Sequence, residues 1–205
     1  MGSWAPRKRA FLGNAKFDPS LTFAGQAANR MSLTILTVPG LGSSGPEHWQ
    51  TRWEQHYGYR RVEQREWDSP VCSKWVAALE AAVTAAGPAV VLVGHSLACA
   101  TIAHWASTTR CPIRGALLVA PADVDRPDFP SEATGFAPMP LNELPFPSIV
   151  VASTDDAYAT WERAEQFARA WGSRLVNVGA LGHINSASGL GLWPAGHRLL
   201  QELLG

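Results

Sequence analysis

The sequence carries no surplus of charge: Lys plus Arg and Asp plus Glu number 17 each, for a formal net charge of zero. Without a strong field of either sign, steering of nucleic acid or of an anionic membrane surface is not expected. Cysteine is scarce. Its three copies, Cys72, Cys99 and Cys111, cannot all pair within the chain, and none sits in a C-x-x-C. That argues against a disulfide scaffold or a zinc ribbon and suits a reducing compartment, so a cytoplasmic location is expected. No stretch approaches the roughly 18 apolar residues of a membrane-spanning helix. The six histidines show no metal-ligand spacing and no H-E-x-x-H, so neither metal nor cofactor is expected. What is present, 46% apolar residues in a chain of 205, suffices for one domain with a sizeable core.

Residues 1–30 differ from the rest. They hold five basic residues (Arg7, Lys8, Arg9, Lys16, Arg30), one acid (Asp18) and no sustained period. A basic leader is one reading; a disordered extension, with the domain proper spanning residues 31–205, fits better because regular patterning begins just after Met31.

From there β-rich apolar runs at Leu33–Val38, Ala89–Val93, Gly115–Ala120 and Ser148–Ser153, with weaker ones at Arg60–Trp67 and Arg174–Val178, alternate with segments of helical spacing. The helical segments are Ser73–Ala86, Leu97–Thr108, Thr160–Trp171 and Leu192–Leu204. Continuous apolar strands separated by helices imply βαβ crossovers: an α/β fold with a mostly parallel sheet of about six strands, covered by helices on both faces. One connection, Pro121–Pro147, holds seven prolines and no period. A surface linker and a lid or pocket wall are equally compatible with it.

The chemistry concentrates at strand ends. Ser96, in Gly94-His95-Ser96-Leu97-Ala98, follows an apolar strand and precedes an apolar helix, which is the setting of a nucleophile elbow. Gly94 relieves crowding at the turn; Ala98 stands where glycine is commoner. A serine hydroxyl needs a base. His104 lies eight residues along the same helix and cannot fold back, and His197 sits inside the last helical pattern. His183, in the loop after Arg174–Val178, can reach the elbow and is the best base. The orienting acid should end the strand Ser148–Ser153, where Asp155 and Asp156 stand side by side and spacing does not choose between them. Asp123 and Asp125 are weaker alternatives.

The loop after the first strand, Val38 to Gly45, is glycine-rich and can bring a second oxyanion donor close. The backbone N–H groups of Leu41 and Leu97 are the expected pair. The loop lacks the Lys-Ser/Thr ending of a P-loop and the G-x-G-x-x-G of a dinucleotide site. Gly40, Gly42, His48, Trp49 and His95 are candidates for the substrate's surroundings, with packing under the first helix the favoured role for Trp49.

Val38-Pro-Gly-Leu-Gly-Ser-Ser-Gly-Pro-Glu-His-Trp49, Gly94–Ala98, Ala152-Ser-Thr-Asp-Asp156, Gly182-His-Ile-Asn185 and Ser188–Pro194 occur in this order. The set resembles the small serine hydrolases grouped with retinoblastoma-binding protein nine and bacterial YdeN-like proteins, over essentially residues 31–205. The resemblance implies a compact α/β-hydrolase without a cap domain and a Ser-Asp-His triad whose acid is the second of the Asp-Asp pair. On this chain that means Ser96, Asp156 and His183, with Ala98 the departure from relatives that often carry glycine. The expected activity is hydrolysis of a small carboxylic ester, thioester or amide. The rival is a non-catalytic interaction module on the same scaffold, against which the filled triad positions speak.

Overall fold

The computed structural model describes Met1 and residues 33–205. The expected extension, residues 1–30, therefore lies outside the described residues apart from Met1. The described elements run β1 (Thr34–Val38), α1 (Trp49–Tyr57), β2 (Arg60–Arg61), α2 (Cys72–Ala86), β3 (Val90–His95), α3 (Leu97–Ala106), β4 (Gly115–Val119), β5 (Ser148–Ala152), α4 (Trp161–Trp171), β6 (Arg174–Asn177) and α5 (Pro194–Leu204). All strand pairs are parallel, in the spatial order β2-β1-β3-β4-β5-β6.

The apolar runs are continuous because both faces of the sheet are covered. Successive side chains on a strand point to opposite faces. Leu36, Val38, Val90, Leu92, Leu118 and Val150 accordingly pack on one side with residues of α2, α3 and α4. Ile35, Val91, Val93, Leu117, Val119, Ile149 and Val151 pack on the other with Trp49 and Trp53 of α1 and Leu200 of α5. Each face buries three tryptophans, and on the second they cluster. Trp49, Trp53 and Trp193 form one aromatic knot, with Trp49 and Trp53 ring centroids 4.7 Å apart and edge-on. Two of these indoles place their N–H on backbone carbonyls: Trp49 Nε1 donates to Ile184 O at 2.8 Å and Trp53 Nε1 to Leu192 O at 2.6 Å. These two bonds fasten the segment carrying His183 to α1.

One expectation needs correction, and one open alternative narrows. The run Arg60–Trp67 yields a strand of only two residues, because beyond Arg61 the sequence turns polar and Glu66 adopts a positive φ of 56°. The segment instead leans on α2, where Gln64 Nε2 donates to Trp75 O. Pro121–Pro147 contains no helix, in keeping with its prolines, but it is more than a linker. Thr134 bridges to Val71, His104 Nε2 donates to Phe136 O at 2.8 Å, and Trp171 Nε1 donates to Pro140 O at 2.8 Å. Phe136, Met139, Leu144 and Phe146 join the core. With no helices of its own, this excursion is not a cap domain. The architecture is a compact α/β-hydrolase fold.

Candidate active site

Ser96 stands between β3 and α3 with φ 58° and ψ −123°, a conformation strained for any residue with a side chain. The turn is held by Ser96 N–H donating to Val119 O at 3.0 Å and Cys99 N–H donating to Ser96 O at 3.0 Å. Space decides the neighbours. A Cβ on Gly94 would meet Ile102 Cδ1 at 2.6 Å, so any larger residue there requires the Ile102 side chain to shift. Ala98 is fully buried, and the elbow forms with its methyl in place. A Cβ on Gly40 would lie 2.8 Å from His95 O and 3.0 Å from Ser96 Cβ. Glycine there lets the β1–α1 loop rest directly against the elbow.

His183 and Asp156 come from the ends of β6 and β5. His183 Nε2 is 2.7 Å from Ser96 Oγ, and His183 Nδ1 is 2.9 Å from both Asp156 oxygens. Asp156 Oδ1 also accepts the Tyr158 N–H at 2.8 Å, and the Asp156 side chain is only 4% exposed. Asp155 turns the other way. Its Oδ1 accepts from the Ser153 hydroxyl and from Gly182 N–H, both at 2.7 Å, and these bonds hold its carboxyl below the usual range. The pair thus divides labour: one carboxylate meets the imidazole, the other ties down the loop that carries it. Asp123 and Asp125 instead pair with Arg163. His104 bonds Phe136 O, and His197 bonds the Tyr59 hydroxyl and stacks on Tyr57.

A cavity of about 410 Å³ opens on Ser96. Of the residues expected around the substrate, His48 and His95 line it, together with the expected oxyanion pair Leu41 and Leu97 and with Ser96 and His183. Gly40, Gly42 and Trp49 do not. Gly40 is packed against the elbow, Gly42 N–H is turned to Trp67 O at 3.0 Å, and Trp49 is 1% exposed beneath α1. Sequence reasoning missed Tyr158, Phe129, Pro130, Ser43 and Asn185 on the wall. Tyr158 is half-exposed, and its ring lies 4.4 Å from the His183 ring. Two signals pointed there: Tyr158 follows the acid by two residues, and Phe129-Pro130 lies in the proline-rich excursion.

Three imidazoles form a row. His95 lies 4.9 Å from His183 and 4.7 Å from His48 between ring centroids. His95 Nε2 donates to His183 O at 2.9 Å, which fixes the His95 tautomer and braces the backbone that carries the His183 ring. Burial, followed by the neighbouring His48 and His183, holds His95 well below the usual histidine value of 6.5. Burial, followed by Arg61 and His183, lowers His48 to about 4. Both rings are therefore neutral in the folded protein, whereas in the unfolded chain they titrate near 6.5. Below that value the unfolded state binds protons that the folded state refuses, so stability is full above about pH 6.5 and falls as pH drops towards 4. For His48 alone the loss between pH 7 and pH 5 is about 2 kcal/mol, in a window where most carboxylates remain ionised. Urea midpoints at these two pH values test this; equal midpoints would refute it.

Among the described residues no group of three or more His, Cys, Asp and Glu is arranged to hold a metal, and no helix is long and apolar enough to cross a membrane. No curated protein matches the chain by sequence. Among solved structures, the chain is similar to a protein of Pectobacterium atrosepticum described as a YdeN-like hydrolase, with 35% identity, a TM-score of 0.74, and coverage of 83% of this chain and 90% of that one. It is also similar to the YdeN gene product of B. subtilis (17% identity, TM-score 0.64, 84% and 99% covered) and to esterase 2 of Thermogutta terrifontis (17% identity, TM-score 0.62, 84% and 82% covered). The latter two likenesses speak for the fold. The serine hydrolase family model matches residues 35–202. Together with the 35% identity to the Pectobacterium protein, this match shows that the chain belongs to the serine hydrolase family, among its small YdeN-like members.

Proposed function

We propose that the protein hydrolyses small carboxylic esters, with thioesters and amides within its chemical reach, through an acyl-enzyme on Ser96. The observation that carries this reading is the unbroken hydrogen-bonded run from Asp156 through His183 to Ser96 Oγ at the floor of a cavity. His183 takes the hydroxyl proton as Ser96 Oγ attacks the ester carbonyl, then returns it to the departing alcohol. Asp156 keeps the imidazole proton on Nδ1, so that Nε2 presents its lone pair to the serine. The tetrahedral oxyanion is assigned to the N–H groups of Leu97, the first residue of α3, and Leu41 on the loop that Gly40 brings against the elbow. A water deprotonated by His183 then cleaves the acyl-enzyme and frees Ser96.

The cavity volume suits a substrate of modest size, and its apolar wall of Leu41, Phe129 and Tyr158 suits short acyl or aryl groups. The test is turnover of p-nitrophenyl acetate and butyrate together with covalent labelling by a fluorophosphonate probe. Mass-spectrometric mapping of the probe to Ser96 is expected. Absence of labelling on folded protein, with no ester turned over, would sink the assignment.

A further inference from the structure

One polar group at the site is left without a partner. His48 lines the cavity but is only 4% exposed. As the N-cap of α1 its Nδ1 accepts Gln50 N–H at 3.2 Å, so the neutral ring carries its proton on Nε2. Nε2 is buried and, among the described residues, has no hydrogen-bond partner. Buried donors are almost always satisfied, and leaving one bare is costly. A cavity that receives a ligand offers a direct resolution: the substrate brings the acceptor.

Position and charge restrict what that acceptor can be. The His48 ring adjoins His95, which adjoins His183, so the donor belongs to the reaction site and not to a separate one. The oxyanion itself is already provided for by two backbone N–H groups. Burial keeps the ring uncharged, and among the described residues no Lys, Arg, Asp or Glu lines the cavity. A neutral donor in a charge-free wall matches an uncharged oxygen, since a carboxylate would lose its hydration there without meeting a counter-charge.

We propose that His48 is a specificity-determining residue whose Nε2–H donates to an ether, hydroxyl or carbonyl oxygen of the substrate outside the scissile carboxyl group. The natural substrate would then be an uncharged, oxygen-bearing small ester, thioester or amide. The proposal rests on the reading of Ser96 as nucleophile.

Matched esters that exchange one CH₂ for oxygen test it. On the acyl side the pair is p-nitrophenyl butyrate and p-nitrophenyl methoxyacetate; on the alcohol side it is n-butyl butyrate and 2-methoxyethyl butyrate, followed by pH-stat. Each kcat/KM is divided by the hydroxide-catalysed rate of the same ester, which removes intrinsic reactivity. His48→Asn keeps a good N-cap but shortens the reach, and His48→Gln offers an amide N–H near the original position. In at least one arm the preference for the oxygen ester is expected to fall about three- to tenfold in His48→Asn, as one neutral hydrogen bond is worth, and to recover in part in His48→Gln. The arm that responds tells whether the oxygen lies on the acyl or the alcohol side. Unchanged ratios in both arms overturn the proposal, whatever the absolute rates do. So does an equal fall for all four esters, which would make His48 an oxyanion donor or a structural cap. Thermal denaturation checks folding; should His48→Asn not fold, the ratio is read from His48→Ser, a good N-cap whose hydroxyl is too short to reach the same oxygen, where no change in either arm overturns the proposal. If wild type neither turns over an ester nor takes the fluorophosphonate, the nucleophile reading has failed, and with it the proposal; an active, labelled wild type with unchanged ratios isolates failure to His48.

Discussion

Replacing Ser96 by alanine is expected to lower kcat for p-nitrophenyl butyrate by at least about 10³- to 10⁶-fold and to abolish fluorophosphonate labelling. The magnitude follows from what the residue supplies. Without Oγ there is no acyl-enzyme, and the reaction falls back on water attack aided only by binding and oxyanion donors, which retain about 10³–10⁴ over the uncatalysed rate. Stability should move the other way, if at all. Ser96 is held at φ 58°, its hydroxyl meets only His183, and its backbone bonds to Val119 and Cys99 survive the substitution. A folded, inert Ser96→Ala protein separates chemistry from architecture. Retention of more than about a tenth of wild-type kcat would exclude Ser96 as nucleophile, because no neighbouring group can replace a lost attacking atom at that cost.

Why the elbow could be read in the sequence, and the cavity wall could not, has a physical basis. Val90–His95 must be buried on both faces, which shows as an unbroken apolar run, and a glycine at position 94 suits the close packing of Ile102 from α3. Both are local constraints and leave local marks. His183 was legible for a similar reason, since a polar loop directly follows an apolar strand. The fold class followed from the same alternation. Tyr158 and Phe129 left no such mark. Each lies in a loop where aromatic residues are ordinary, and only the tertiary path of residues 121–147 brings Phe129 into the cavity wall that His183 also lines. Trp49 is the opposite case: it adjoins a loop with a clear functional pattern, but the packing role favoured for it is the one it takes, its indole being spent on Ile184 O and the aromatic knot. Neighbours in sequence at a site need not be neighbours of the substrate.

The Asp155-Asp156 pair shows what geometry adds to spacing, and the two asparagine variants should differ sharply. Asp156→Asn is expected to reduce kcat by about 10⁴-fold, the scale on which losing the triad acid acts through the wrong imidazole tautomer. The direction of the amide is dictated here. Asp156 Oδ1 accepts the Tyr158 N–H at 2.8 Å, so the asparagine oxygen must stay at that position and the NH₂ must take the place of Oδ2. That NH₂ faces His183 Nδ1 at about the distance Oδ2 now holds, 2.9 Å, while the amide oxygen, also 2.9 Å away, is a weaker acceptor for the Nδ1 proton than a carboxylate. The balance shifts towards the tautomer protonated on Nε2, whose proton points at Ser96 Oγ and removes the base. Asp155→Asn carries no such penalty. Its oxygen can still accept from the Ser153 hydroxyl and Gly182 N–H, and the charge it loses lies on the side of the loop away from the imidazole. A loss of less than about tenfold in kcat is expected, as for a weakened support that positions a base without touching the reacting atoms. Burst kinetics with p-nitrophenyl butyrate would place the Asp156→Asn defect in the acylation step, where Ser96 must first lose its proton. The assignment fails if Asp155→Asn proves the more damaging of the two, or if Asp156→Asn still acylates at near wild-type rate around neutral pH.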